Sequence, residues 1–381
     1  QYPADKDEAG IITTHFEYHC LEDNLLKLDE LGHDNPTMLK MLQDITGVDS
    51  NDISLDDPQT LGLFSSAAPL GAPEGDKIIG ETGTIGIPEF GTPFTRGMLC
   101  DTRPDKFDTL VKLSGYSHGT DVWLGNAKDL LANKVADITE TVGCRDDIML
   151  YLISIGMAPK SAFKVSESVR KGRGIPAEQK DEMIRLGVPD WYIKSCEKIQ
   201  YLFPKAHAVA YVMMAFRIAW FKVHRPLAFY SAYFYRRSQK DSFDARLMTR
   251  GQSVVDAKIR ELNQVQERLR TAKENELYTT LEACHEFYSR GFTFLPIDLY
   301  ESDAVKFEIV GEDALRAPFV AVSGLGEIAA REIAIAREGR TFVAIDDFEQ
   351  NCQKVSSAHI SALHELGAFG NMAETSQLTL F

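Results

Sequence analysis

A short list of residues has the types and spacing for phosphate and metal chemistry. In the segment LLKLDEL (residues 25–31), strand alternation places Lys27 and Asp29 on one face. A carboxylate fixed on a strand can hold a divalent cation, and a neighbouring ammonium suits a site where metal and phosphate meet. A surface ion pair is the plainer reading of the same spacing. In SESVRKGRGIP, Arg170, Lys171 and Arg173 surround Gly172 and Gly174. The pattern reads as a helix end with a glycine cap, where cations are favoured by the helix dipole alone. In YLFPKAHAVAYVMMAFRIAWFKVH, Pro204 opens a helix and Lys205 and His207 fall in its first turn. That is an unfavourable place for cations unless an anion sits there. His207 and Tyr211, four residues apart, share a helix face. Further on, Gly324, Leu325 and Gly326 form a turn that opens a helix whose first N–H groups are free for a phosphate. The last residues, Gln377, Leu378, Thr379, Leu380 and Phe381, follow a polar stretch. They suit a short peptide that docks into an apolar pocket, or a tail packed on its own domain. His15, Glu17 and His19 alternate onto one face of an expected strand over residues 11–20 and read as a metal site or, more plainly, a polar face.

The charge of the chain constrains what such residues do. The 381 residues carry 41 Lys and Arg against 56 Asp and Glu, a formal charge of −15. A uniformly basic nucleic-acid binder is excluded, while a locally basic groove is not. Residues 1–60 hold three basic and fourteen acidic side chains; residues 141–240 hold seventeen Lys and Arg against eight Asp and Glu. An acidic first part and a basic middle fit metal-plus-phosphate chemistry, and each also reads as a solvated face. The six cysteines are scattered without a close pair, which fits a reducing cytoplasm rather than a zinc or disulfide framework. The most apolar run, residues 209–220, is interrupted by Arg217 and ended by Lys222, so no membrane span is expected.

The elements that must position these groups are mostly helical. Strands are expected over 11–20 and 25–31, then a helix from Asp34 to about Gly47, and helices with short Gly-rich loops from about 55 to 240. Two amphipathic helices are expected within 253–288, with a break near Asn275, followed by strand-like pieces over 293–299 and 306–310 and a helical last part. The opening strand needs a partner, so the chain reads as the C-terminal part of a longer protein.

The motifs TTHFEYHCLEDNLLKLDELGHDNPT, GIPEFGTPFTRGML, SHGTDVWLGNAKDL, GCRDDIM, ESVRKGRGIP and FPKAHAVAYVMMAFRIAWFKVH together resemble the C-terminal third of PolC-type DNA polymerase III α subunits, the C-family bacterial replicative polymerases. The resemblance covers essentially the whole chain. It implies an α+β, mostly helical fold: the C-terminal part of a palm (1–50), helical fingers (51–240), and a duplex-binding region with helix-hairpin-helix elements and a clamp-binding tail (241–381). It implies that Asp29 is a catalytic, Mg²⁺-binding aspartate and that Lys27 lies near the incoming phosphates. Arg145, Arg170, Lys171, Arg173, Lys205, His207 and Tyr211 would face the nucleotide. Gly324, Leu325 and Gly326 would grip DNA, and Gln377, Leu378, Leu380 and Phe381 would bind the sliding clamp, a β ring. The implied partners are primer-template DNA, dNTP, the clamp and other replisome subunits, with no membrane. The family places two further catalytic aspartates on an earlier strand, and no such segment precedes Asp29 here. The isolated chain is therefore expected to be inactive as a polymerase. A non-catalytic DNA- and clamp-binding module is the rival expectation. A metal-dependent hydrolase built on His15, Glu17, His19 and Asp29 is a second.

Overall fold

In the computed structural model, residues 33–376 are described, together with Glu17, Cys20, Leu21, Asn24 and Leu25. His15, His19, Lys27 and Asp29, and Gln377, Leu378, Leu380 and Phe381 at the other end, lie outside the described residues. The chain divides into two units, Gln1–Asp34 and Asn35–Phe381. In the first, the Cys20 N–H bonds Glu17 O at 3.2 Å and the Leu25 N–H bonds Leu21 O at 2.9 Å. Cys20 thus closes a turn and does not continue the strand expected to reach it.

The second unit is built from helices: α1 (Asp34–Thr46), α2 (Pro58–Leu63), α3 (Pro93–Thr102), α4 (Phe107–His118), α5 (Lys128–Ala132), α6 (Arg145–Ser154), α7 (Pro159–Arg170), α8 (Ala177–Arg185), α9 (Asp190–Lys198), α10 (Lys205–His224) and α11 (Pro226–Gln239). After these come α12 (Ala245–Met248), α13 (Gln252–Leu262), α14 (Ala272–Ser289), α15 (Glu327–Ala336), α16 (Ile345–Asn351) and α17 (Ser357–Glu365). A small sheet of β1 (Thr293–Leu295), β2 (Glu308–Val310) and β3 (Ala314–Arg316) has the order β1-β3-β2. β3 pairs parallel to β1 and antiparallel to β2.

One expectation needs correction, and the place of Lys222 adds to another. Asn275 does not break a helix; it lies inside α14, and the break falls between α13 and α14. The reason is local chemistry. Thr271 caps α14, its side chain accepting from the Glu274 N–H while the Glu274 carboxylate accepts from the Thr271 N–H, so the helix must begin there. Lys222 does not end an apolar run at the surface. It is fully buried on α10 among Phe216, Ile218, Ala219 and Phe221. By length and composition alone α10 could cross a membrane, but eight of its residues, this lysine included, are buried inside the protein.

α10 and α14 carry the core. Tyr230 and Phe234 on α11 pack ring to ring with Phe287 on α14, and Phe234 also meets Phe294 and Phe307 beside the sheet. The face of α14 turned toward the 76–96 segment is polar. Glu282 lies 3.4 Å from the guanidinium of Arg96. Glu286 meets Lys222 at 2.7 Å. His285 spans Asp76 and Asp256, at 2.7 Å through Nε2 and 2.6 Å through Nδ1. Since both ring nitrogens face carboxylates, the doubly protonated imidazolium is the form that fits. Burial alone would lower its pKa; the hydrogen bonds to Asp76 and Asp256 outweigh that and hold it above the ordinary 6.5. A basic group whose folded pKa is raised contributes stability fully below its unfolded pKa and loses it as pH rises through the folded one. His285→Gln is therefore expected to lower the melting temperature most on the acid side of 6.5 and to flatten its fall toward alkaline pH. Melting curves across that range check this, and a parallel drop at every pH would contradict it.

Candidate functional site

The basic middle of the chain converges where α6 begins, α7 ends and α10 begins. α6 starts with a capping arrangement: Asp147 Oδ2 accepts from the N–H groups of Gly143 and Cys144 at 2.9 and 3.1 Å. Its acidic first turn then faces basic neighbours. Lys112 of α4 donates to the carbonyls of Thr139 and Thr141 at 2.9 and 2.6 Å and lies 3.7 Å from Asp147. Gly115 lets α4 approach this loop, since a Cβ there would lie 2.4 Å from the Gly143 carbonyl. Cys144 is buried, and burial together with Asp147 pushes its thiol up to about 12, so it is not a nucleophile.

α10 meets this turn head on. Cys144 and Phe203 form a parallel bridge. The Lys205 N–H donates to Asp146 Oδ2 at 3.2 Å, and Lys205 Nζ lies 3.9 Å from Asp147 Oδ1. The anion that the sequence required at this helix start is thus partly internal: Asp146 supplies it. Lys205 keeps 43% of its side chain exposed, so its ammonium remains open to a further anion.

α7 contributes the second half of the cluster. Glu167 receives Arg170 Nε and Nη2 on its two oxygens, each at 3.0 Å, in a fork-on-fork pair. Arg145 Nη1 joins at 2.7 Å and Lys171 Nζ lies at 3.8 Å. The Arg170 hydrogen bonds, ahead of the cost of burial and with help from Arg145, hold the Glu167 carboxyl below its ordinary range. One carboxylate therefore gathers three cations, and Asp146, 3.9 Å from Arg145 Nε, is a second acid beside them, so positive charge remains in excess. Gly172 follows at φ +67°, and a Cβ there would stand 2.6 Å from the Gln200 carbonyl. The Leu202 N–H bonds the Arg170 carbonyl at 3.3 Å, so the end of α7 is locked to the strand-like lead into α10.

Rings line the same approach. The His118 imidazole donates to Glu89 Oε2 at 2.5 Å and stacks on Phe203 at 4.7 Å. Phe203 meets His207 at 6.1 Å, and His207 meets Tyr211 at 6.5 Å. Three sequence motifs therefore touch: GIPEFG through Glu89, SHGTD through His118 and FPKAH through Phe203. Glu89 adopts φ +66°, a left-handed conformation uncommon for a non-glycine residue.

Of the residues expected to face a nucleotide, the structure gathers Arg145, Arg170, Lys171 and Lys205 with His207 and Tyr211. Arg173 is exposed beyond Gly172, and its side chain makes no hydrogen bond or ion pair among the described residues. Sequence reasoning missed Glu167, Asp146, Asp147, Glu89 and His118. Glu167 was detectable, because it precedes Arg170 and Lys171 by three and four residues, a spacing that pairs charges on a helix. The Glu89–His118 contact left no such local signal. Among the described residues no group of three or more His, Cys, Asp or Glu side chains could hold a metal ion.

The Gly-Leu-Gly turn forms as expected. Leu325 is buried and anchors it, Gly324 takes φ +82°, and Gly326 caps α15. An acidic side chain already occupies one of its backbone donors. Asp241 Oδ1 accepts from Ser323 Oγ at 2.9 Å and the Gly324 N–H at 3.3 Å, while Lys273 Nζ meets Oδ2 at 2.8 Å. Against the penalty of burial, these bonds hold the Asp241 carboxyl below its ordinary range.

Residues 35–188 match the family described as the finger domain of the bacterial DNA polymerase III alpha subunit, and residues 291–378 match a helix-hairpin-helix motif. Across its whole length the chain is 51% identical to the DNA polymerase III PolC-type of Thermotoga maritima, 49% to that of Caldanaerobacter subterraneus and 50% to that of Bacillus cereus. It spans 26 to 27% of the length of these relatives. Over its whole length the chain is thus homologous to a segment of the PolC-type DNA polymerase III proteins, with a helical finger domain and a helix-hairpin-helix region.

Proposed function

We propose that the chain supplies the nucleotide-binding fingers and the duplex-binding region of a replicative DNA-directed DNA polymerase. The gathering of Arg145, Arg170, Lys171 and Lys205 at one junction of three helices carries this reading. Nucleotidyl transfer passes a primer oxygen to the α-phosphorus of a dNTP and releases pyrophosphate, so negative charge must be held on the triphosphate throughout. In this reading the surplus cations hold the triphosphate, and His207 and Tyr211 line its approach. Asp29 would give one ligand to Mg²⁺, which when bound activates the nucleophile and steadies the leaving group. Lys27 would lie near the phosphates. Arg173 is assigned the same side of the site on its exposure alone.

The turn at Gly324, Leu325 and Gly326 would hold the duplex by its phosphates, a contact that weakens with salt. Gln377, Leu378, Leu380 and Phe381 would tether the enzyme to the sliding clamp and raise its effective concentration on DNA. Other replisome subunits and a cytoplasmic setting follow from the same assignment. Matching only about a quarter of its relatives' length, the isolated chain is expected to give no templated primer extension. Incorporation above background would contradict this.

The decisive experiment uses the complete polymerase. Lys205→Ala with His207→Ala should raise the KM for dNTP more than the Kd for primer-template. The opposite order would move these residues to the DNA surface. A separate expectation concerns Asp241. A backbone phosphate taking the Gly324 N–H must displace its carboxylate. Asp241→Asn is therefore expected to tighten duplex binding at low salt more than Glu276→Gln, an acid-removing control. Weaker binding would assign Asp241 a purely structural part.

A further inference from the structure

We propose that Glu167 is a positioning residue of the nucleotide site: it fixes the guanidinium groups of Arg170 and Arg145, and the ammonium of Lys171, in the array that receives the triphosphate. This inference rests on the nucleotide-binding reading above. The geometry that carries it is the sharing of one carboxylate by three cations drawn from two sequence motifs, GCRDDIM and ESVRKGRGIP.

Arg170 spends two donors, Nε and one on Nη2, on Glu167. A guanidinium has five N–H groups, so three remain. Arg145 commits Nη1 to Glu167 at 2.7 Å, its Nε lies 3.9 Å from Asp146 Oδ2, and it keeps further donors. Both forks are thus oriented without being used up. A flexible arginine loses rotamer freedom each time it grips a phosphate, and prior pairing lowers that loss. Glu167, with Asp146 beside Arg145, also limits repulsion among the three cations, yet leaves them a net attraction for an anion.

A purely structural role is a poor account of Glu167. Its side chain is 20% exposed, so its ion pairs keep some contact with solvent, which screens their contribution to the fold. α6 and α7 are already joined by a buried apolar seam that includes Ile148 and Leu152 on one helix and Ala162, Val165 and Val169 on the other. That seam joins the two helices without Glu167, while the aim of the arginines depends on it.

The test uses the complete polymerase with Glu167→Gln, Glu167→Ala and the charge-conserving Glu167→Asp. Glu167→Gln and Glu167→Ala should raise the KM for dNTP by about tenfold or more, the scale expected when a pre-oriented group is released. The Kd for primer-template and the melting temperature should change little, and Glu167→Asp should recover part of the loss. An unchanged KM in Glu167→Gln overturns the inference. So does a joint fall of KM performance, duplex affinity and melting temperature without recovery in Glu167→Asp. Arg145→Ala and Arg170→Ala, measured in parallel, separate the two levels. If neither raises the KM for dNTP, the nucleotide-binding reading fails and takes this inference with it. If they raise it and Glu167→Gln does not, only the positioning role fails.

Discussion

Replacing Lys222 by methionine is expected to cost about 3–5 kcal/mol of stability, the scale for stranding a buried charge. The ammonium is wholly enclosed, with the Gly83 and Ile85 carbonyls at 2.7 and 2.6 Å and Glu286 Oε2 at 2.9 Å. Burial pulls its pKa down to about 8, against the attraction of Glu286, so it remains charged at neutral pH. Methionine fills much of the same volume but donates nothing. Glu286 would keep only the Tyr230 hydroxyl, at 2.5 Å, and two backbone carbonyls would lose their partner. Removing the charge on both sides, with Lys222→Met and Glu286→Gln together, should restore part of the loss, because no uncompensated ion is then buried. Urea unfolding measures both variants. A single variant within 1 kcal/mol of the parent would show that water or another cation reaches Glu286.

The second large effect is expected at Gly172. Alanine there meets two costs at once. The left-handed backbone disfavours any side chain by about 1–2 kcal/mol. The new methyl would also lie 2.6 Å from the Gln200 carbonyl, and overpacking of this kind costs about 1–3 kcal/mol. Relief requires the loop carrying Arg170, Lys171 and Arg173 to move away from the 200–202 segment. In the complete polymerase, Gly172→Ala should therefore impair dNTP use severely. Gly174→Ala should be milder: Gly174 has a similar φ of +69° but nothing within 4 Å of its Cβ position. Equal effects at the two glycines would show that backbone strain alone, rather than contact with Gln200, sets the loop.

Local patterns in the sequence located much of this. The helix at Pro204, the glycine cap after Arg170 and the Gly-Leu-Gly turn are each written in a few adjacent residues, and each forms as read. The cations were visible for the same reason. Their counter-charges were not, because Asp146 reaches α10 across 59 positions and Arg145 reaches Glu167 across 22. The burial of Lys222 was illegible for the same reason: a glutamate 64 positions later makes it possible. The break assigned near Asn275 failed because the capping pair Thr271 and Glu274 was overlooked. The metal-binding and clamp-binding assignments at the two ends lie outside the described residues and stand on resemblance alone.

The charged face of α14 bears on how such enzymes can be taken apart. The finger match ends at residue 188 and the helix-hairpin-helix match begins at 291, which invites treating them as interchangeable cassettes joined by a spacer. The spacer is instead a clasp on the fingers: Glu282 and His285 reach back to Arg96 and Asp76 within the finger match, and Glu286 holds Lys222 inside the spacer itself. A finger cassette grafted from a relative must bring mates for Glu282 and His285, or it will strand both.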